Sequence, residues 1–307
     1  MRNWKSLVCG ITCLGLSVCL FAASAARNQA HLFPIHLNGK IGFMDERGKL
    51  VIQPQFSGAR AFTENLAPVK VGERWGYIDE TGRMVIAPQF AEARSFSFGV
   101  GPVRSGNLWG FIDRSGKFVI ERQFEVARSH AGDSGPDPKD PKKKLHLARV
   151  KKNGTWSFID PSGNAVLTTP YTEAGALEYG LAPVKVNNRW GFIDVRGSVV
   201  IKPQFDGANN FESGLGMVEV GDLWGYIDKT GKVVIPCKFQ AVDEFESGLA
   251  PAEIDGHWGF INKRGDWVIK PQFDRAEHFD DGLAQVERNG AFGYIDLTGT
   301  FIWPLSK

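Results

Sequence analysis

Trp190-Gly191-Phe192-Ile193-Asp194 decides how this chain folds, because the same five-residue word returns along its length. Copies stand at Trp75-Gly76-Tyr77-Ile78-Asp79, Trp109-Gly110-Phe111-Ile112-Asp113, Trp224-Gly225-Tyr226-Ile227-Asp228 and Trp258-Gly259-Phe260-Ile261-Asn262. Degenerate copies begin at Ile41, Trp156 and Phe292. Successive copies start 34 residues apart, except for one step of 47 between Trp109 and Trp156. A fixed period of this size marks a repeat architecture, in which each unit rests on its neighbours rather than on one central core.

One clean unit runs from Gly180 to Ser213. Leu181 to Val186 alternates as a strand does, and Asn187-Asn188 supplies a turn. Trp190 to Asp194 is a second strand, and Asp194-x-x-Gly197 a second turn, with aspartate accepting backbone N–H bonds and glycine taking positive φ. Val199-Val200-Ile201 reads as a short third strand halted by Pro203. Phe205, Ala208 and Phe211, spaced by three, predict a tight helical turn or compact loop over Gln204 to Gly214. Such a unit cannot bury both its faces alone, so stacking supplies the core.

The expected fold is therefore all-β: about eight 34-residue β-meander or hairpin repeats stacked as an open twisted solenoid. A closed propeller-like ring is the alternative; propeller blades usually take four strands and about 40 residues or more, which favours the open stack. The expected inter-unit core is a ladder of Trp75, Trp109, Trp156, Trp190, Trp224, Trp258 and Phe292. Gly42, Gly76, Gly110, Gly191, Gly225, Gly259 and Gly293 lie mid-strand, where glycine normally weakens a sheet, so they predict close packing against that face. Ile41 and Phe292 replace tryptophan at the two ends, as terminal repeats facing solvent would allow.

Residues 1–25 stand outside the repeat and read as a signal peptide. Arg2 and Lys5 precede an uncharged run from Leu7 to Ala23, and Ala23-Ser24-Ala25 fits a cleavage site. An uncleaved anchor is the rival reading, and Val18 before Cys19 argues against a lipoprotein box. Cleavage after Ala25 leaves Cys237 as the only cysteine and no stable membrane span. The remainder divides into N-terminal repeats over 26–130, a flexible charged insertion over 131–144 and C-terminal repeats over 145–307. The insertion holds Lys139, Lys142, Lys143 and Lys144, a candidate contact loop for a partner.

The chemistry is sparse. Net charge is +2, near zero without Arg2 and Lys5, which excludes the concentrated positive charge that non-specific nucleic-acid binding needs. The recurring aspartates number one per turn, too few oxygens for calcium. The histidines show no ligand spacing, although His257 and His278 fall in adjacent units. No nucleophile elbow, phosphate loop or dinucleotide fingerprint is present, so no catalytic residue, cofactor or metal is expected.

The pattern Gly180-Leu181-Ala182-x-Val184, Trp190 to Gly197 and Val200 to Phe205 with Phe211 resembles the bacterial WG repeat, named for its tryptophan–glycine pair. The resemblance covers essentially everything after the signal segment. It implies a β-rich interaction module of bacterial proteins, often exported, and implies no catalytic residues. The expected function is thus an exported, non-catalytic scaffold, periplasmic, secreted or on the cell surface, that binds a protein or envelope component. One alternative is a module binding envelope or host glycans, for which Trp267 and Trp303 are the aromatics off the template. The other is an enzyme with its site in the insertion or at a non-consensus surface.

Overall fold

In the computed structural model, which describes residues 31–306, the segment after each Pro-x-Phe is a strand, not the helical turn expected of it. Strand Gly207–Glu212 pairs with Leu215–Val220, and its register slips by one residue between Ala208 and Phe211. A one-residue bulge turns the side chains beyond it to the opposite face. Ala208 and Phe211, three apart, therefore lie on one side of a strand, which is the source of the helix-like spacing.

Four strands fit in 34 residues because the turns are minimal. Ser213-Gly214 and Gly221-Asp222 all have positive φ, the conformation that joins antiparallel strands through two residues. The third turn has the aspartate geometry expected: Asp194 Oδ1 accepts the N–H groups of Arg196 and Ser198, both at 2.9 Å. Pro203 does not halt its strand, which runs on from Val199 to Phe205.

Eight sheets, six of four strands and two of three (Phe33 to Phe56 and Leu181 to Phe205), close into a propeller, and the open solenoid is overturned. In blades two, three, six and seven, a turn glycine (Gly82, Gly116, Gly231, Gly265) rests on an isoleucine of the blade before it (Ile52, Ile86, Ile201, Ile235). Gly48 of the first blade likewise meets Ile302 of the last, there against its backbone carbonyl. Tyr294 Oη donates to Pro34 O at 2.7 Å, Ser306 Oγ to His36 O at 3.2 Å, and Phe33, Ile35 and Met44 share one core cluster with Leu283 and Tyr294. Ile41 and Phe292 are thus not solvent-facing ends: Phe292 stacks on His36, with ring centroids 5.1 Å apart.

The first strand of each full blade is innermost. Its side chains reach the equivalent strand next door, as Ser95 Oγ to Ala61 O, Ser129 Oγ to Ser95 O and Thr63 Oγ1 to Phe96 O show. The last strand lies outermost, with Val85, Val200, Val234 and Val268 exposed on its solvent face.

The deepest aromatics are not the tryptophans but the Phe or Tyr two residues on. Phe43, Tyr77, Phe192, Tyr226 and Phe260 are fully buried, each packed at about 5 Å against the innermost-strand phenylalanine of the next blade (Phe62, Phe96, Phe211, Phe245, Phe279). Trp109 is buried, whereas Trp75, Trp156, Trp190, Trp224, Trp258 and Phe292 are half-buried. Several tryptophans lie beneath a cation, as Trp75 under Arg60, Trp109 under Arg94 and Trp156 under Arg149. Alternation explains the difference: Trp190 and Phe192 share a face, but only Phe192 lies where two blades converge.

Gly191 lies against backbone. A Cβ there would stand 2.5 Å from Ile201 O and 2.7 Å from Pro203 N. Between the pairs Trp190↔Phe205 and Phe192↔Ile201, two residues of one strand face four of the other, and the surplus at Lys202-Pro203 folds over the glycine. Gly42, Gly76, Gly225 and Gly259 have the same neighbours; Gly110 and Gly293 have slightly looser ones. The fourth blade carries Ser157 instead, and there the partner strand pairs without that surplus: Ser157↔Thr168, then Phe158↔Leu167.

Candidate functional site

The insertion is more ordered than its composition suggests. Pro136–Asp137 and Asp140–Lys144 pair as a small hairpin. Its base is fixed by Ser134, fully buried, whose Oγ accepts Leu147 N–H at 2.9 Å, and by Tyr179 N–H donating to Asp133 O at 2.6 Å. Lys144 pairs with Asp133 at 2.7 Å, and Lys143 stands 4.0 Å from Asp140. Lys139 and Lys142 have no ion pair among the described residues, and all four lysines are at least partly exposed. The hairpin leans over the fourth and fifth blades and encloses a cleft of about 520 Å³. Leu145, Val166, Leu167 and Val195 give it apolar walls, and Asp137, Lys139, Asp160 and Arg196 also line it.

The second feature is the axis of the ring, whose two halves carry opposite charge. One innermost-strand offset holds Arg60, Arg94 and Arg128 in blades two to four, but Asp243 and Glu277 in blades seven and eight. Three residues on, blades two to four have Thr63, Ser97 and Ala131, and blades five to eight have Glu178, Glu212, Glu246 and Asp280. Burial, with the guanidiniums of Arg128 and Arg60 nearby, lowers Arg94 to about 10. Burial, with the carboxylates of Glu244 and Glu212 adding to it, pushes Glu178 up to about 7. The hydrogen bond to Asp243 raises His278 to about 9. Aligning the repeats by offset makes this division legible in the sequence, whereas a search for local clusters misses it.

The shift at Glu178 has a sign. Its folded pKa lies above the ordinary 4.5, so the folded chain holds this proton more tightly than the unfolded chain does. That contribution is complete below about pH 4.5 and is lost as pH rises through about 7. Glu178→Gln is expected to raise the melting temperature at pH 8 and leave it unchanged at pH 4. An equal shift at both pH values counts against the assignment.

Other candidates are not brought together. His278 bonds Asp243 at 3.3 Å rather than His257, which is exposed, and no group of three or more metal-ligating side chains is assembled among the described residues. His130 occupies a phenylalanine position, 4% exposed and 5.5 Å from Phe111, and burial depresses its pKa. Cys237 is half-buried, and burial holds its thiol above the ordinary range, contrary to what a nucleophile needs. Trp267 and Trp303 are half-buried, the first edge-on to Phe239 and the second packed in the cluster that closes the ring. No helix among the described residues is long and apolar enough to cross a membrane.

Comparison with known proteins gives a family and distant likenesses. The family described as "WG containing repeat" matches residues 41–75, 75–109, 109–129, 156–190, 190–224, 224–257 and 258–290. No curated protein matches the sequence. Among solved structures the chain is similar to the AfRom2 CNH domain, at 9% identity over 80% of this chain and 96% of that one, with a TM-score of 0.45. It is also similar to Hsv2p of Kluyveromyces lactis, at 8% identity over 79% and 92%, with a TM-score of 0.49. A third likeness is BBS1N, solved in complex with ARL6DN, at 12% identity over 89% and 90%, with a TM-score of 0.41. Likenesses this distant carry no functional argument.

Proposed function

This chain belongs to the WG containing repeat family, and from that premise we propose that it is a non-catalytic scaffold, exported by a bacterial cell, that holds a protein partner at the insertion hairpin. One observation carries the reading. The hairpin is the longest insertion into the repeat, and it builds a cleft of about 520 Å³ against the fourth and fifth blades. Binding sites in repeat proteins belong where units differ, because the shared positions are occupied in making the scaffold.

The cleft's chemistry suits a protein segment. Its apolar walls take an aliphatic or aromatic side chain, and its charged lining is mixed, Lys139 and Arg196 beside Asp137 and Asp160, which suits a protein segment carrying both signs. Lys142 and Lys143 extend the positive charge along the hairpin.

The test is capture from an envelope fraction by the wild-type chain and by a Lys139→Glu/Arg196→Glu variant, each shown by circular dichroism and melting to be folded. A specific partner should be retained by the first and reduced about tenfold or more in the second, as expected when a charged contact in an interface is reversed. Undiminished retention removes the hairpin from the interface, and the lack of any specific partner removes the reading.

A further inference from the structure

The insertion is rooted in a side chain that the equivalent strands do not have. Against the buried aromatic of the preceding blade, innermost strands place Phe62, Phe96, Phe211, Phe245 and Phe279, and the fifth blade places Leu177. The fourth blade has His130 there, at the end of strand Val126–His130 and directly before the insertion. Both its ring nitrogens are buried without a hydrogen-bond partner among the described residues. A neutral imidazole in this place forfeits its donor and its acceptor, and an imidazolium would add a buried charge.

Its surroundings do little for the charged form. Phe111 of the third blade and Ala148, its partner across the sheet, are apolar. Asp160, just past strand Thr155–Ile159, favours the imidazolium through its backbone and its carboxylate. That carboxylate is committed to its own turn: Oδ1 accepts the N–H groups of Ser162 and Asn164 at 2.9 Å, and Oδ2 accepts Asn164 Nδ2–H at 3.1 Å. His146, on the returning side of the insertion, opposes a positive charge on His130. On the other strands packed around it, Arg104 pairs with Glu92, Arg149 and Lys151 lie over Trp156, and Lys152 bonds Gln123. Burial therefore prevails and holds His130 below the ordinary 6.5.

The root beside His130 is held by few bonds. Ala131 N–H donates to Leu147 O at 3.1 Å, Leu147 N–H to Ser134 Oγ and Ser134 N–H to Leu145 O, both at 2.9 Å. His146 Nδ1–H donates to Gly132 O at 2.8 Å, and the same ring stacks on Phe98 at 3.8 Å. Tyr179 N–H, donating to Asp133 O, fastens the root to the fifth blade. Gly132 is exposed, so solvent stands two residues from the buried imidazole. Parting a few bonds at the margin of a blade costs far less than separating two blades.

We propose that His130 makes the insertion an acid-operated latch: its protonation opens the root from Ala131 to Leu147 and frees the hairpin from the fifth blade, with the ring still closed. The sign follows from linkage. Because the folded chain binds this proton less tightly than the unfolded chain, the latch has its full strength above about pH 6.5 and loses it as pH falls toward the folded value. Its use rests on the cleft proposed above, whose partner it would release in acid; the opening itself does not depend on a partner.

Hydrogen exchange of the full chain at pH 8 and pH 5, corrected for the intrinsic effect of pH and read by mass spectrometry, tests the opening. Residues 131–147 should lose protection about tenfold or more at pH 5, a factor of ten being what each unit of histidine pKa depression supplies. The sixth and seventh blades should keep theirs. His130→Phe, which restores the side chain of the equivalent strands, should hold the root closed at both pH values. His130→Gln, polar but without a proton to gain, should leave it equally open at both, each variant being shown by melting to be folded. Equal protection at the two pH values in the wild type, a response that survives in His130→Phe, or a loss spread evenly over all blades overturns the latch. Capture from the envelope fraction at both pH values separates the two readings. A partner held at pH 8 and released at pH 5 by the wild type but not by His130→Phe supports the use, and one still held at pH 5 overturns it. A root that opens in acid while no partner is captured at either pH overturns the cleft and leaves the latch standing.

Discussion

Phe192→Ala should lower the free energy of unfolding by about 3–5 kcal/mol, the cost of emptying a fully buried aromatic site. Phe192 has no exposed surface and packs at 5.0 Å on Phe211 of the following blade, so truncation opens a void at a junction rather than within one sheet. The surrounding strands are fixed by pairing on both sides and have little freedom to collapse into it. Trp190→Ala, in the residue that gives the motif its prominence, should cost no more than about half as much, because a half-buried side chain returns less apolar area to water. Chemical denaturation of the two variants with unchanged m-values decides the order. A tryptophan loss equal to the phenylalanine loss would contradict the burial described above.

Gly191→Ala should cost about 3 kcal/mol or more, the upper range for overpacking, because the added methyl meets backbone instead of a side chain able to turn away. Ile201 O at 2.5 Å and Pro203 N at 2.7 Å both belong to the fold of strand pressed over the glycine. The fourth blade supplies the control. Ser157 already carries a Cβ, and its Oγ lies 3.1 Å from Thr168 Oγ1, where the Thr168-Thr169-Pro170 sequence pairs without the surplus residues. Ser157→Ala should therefore stay within about 1 kcal/mol, the loss of one exposed hydroxyl contact. A mild Gly191→Ala and a severe Ser157→Ala together would show that the bulge does not govern this position.

The strand content, the period and the aspartate–glycine turns were legible in the sequence because each is fixed locally, by alternation and by turn chemistry. The fourth strand was not. A bulge between Ala208 and Phe211 gives a strand the spacing of a helix, and single-residue bulges leave no separate mark in composition. The proline at 203 misled for a related reason: it sits in a bulge, where its missing N–H is not called upon. Closure was hidden because it depends on the counted strand, and because Tyr294 and Pro34 lie 260 residues apart. Phe33 was visible throughout as a large residue at the place of Ala67, Ala182 and Ala250, but its packing on Tyr294 exists only once the ring is closed.

Among the described residues, the junction between the last and first blades is made by side-chain packing and by side-chain hydrogen bonds to backbone, with no strand shared across it. Such a ring has no privileged starting point. A circular permutant that links the ends near Ser306 and His36 and begins at another blade boundary keeps every inter-blade contact and changes only the order of synthesis. Its melting behaviour would then report how much of the fold's cooperativity belongs to the closed circle itself and how much to the direction in which the chain happens to be made.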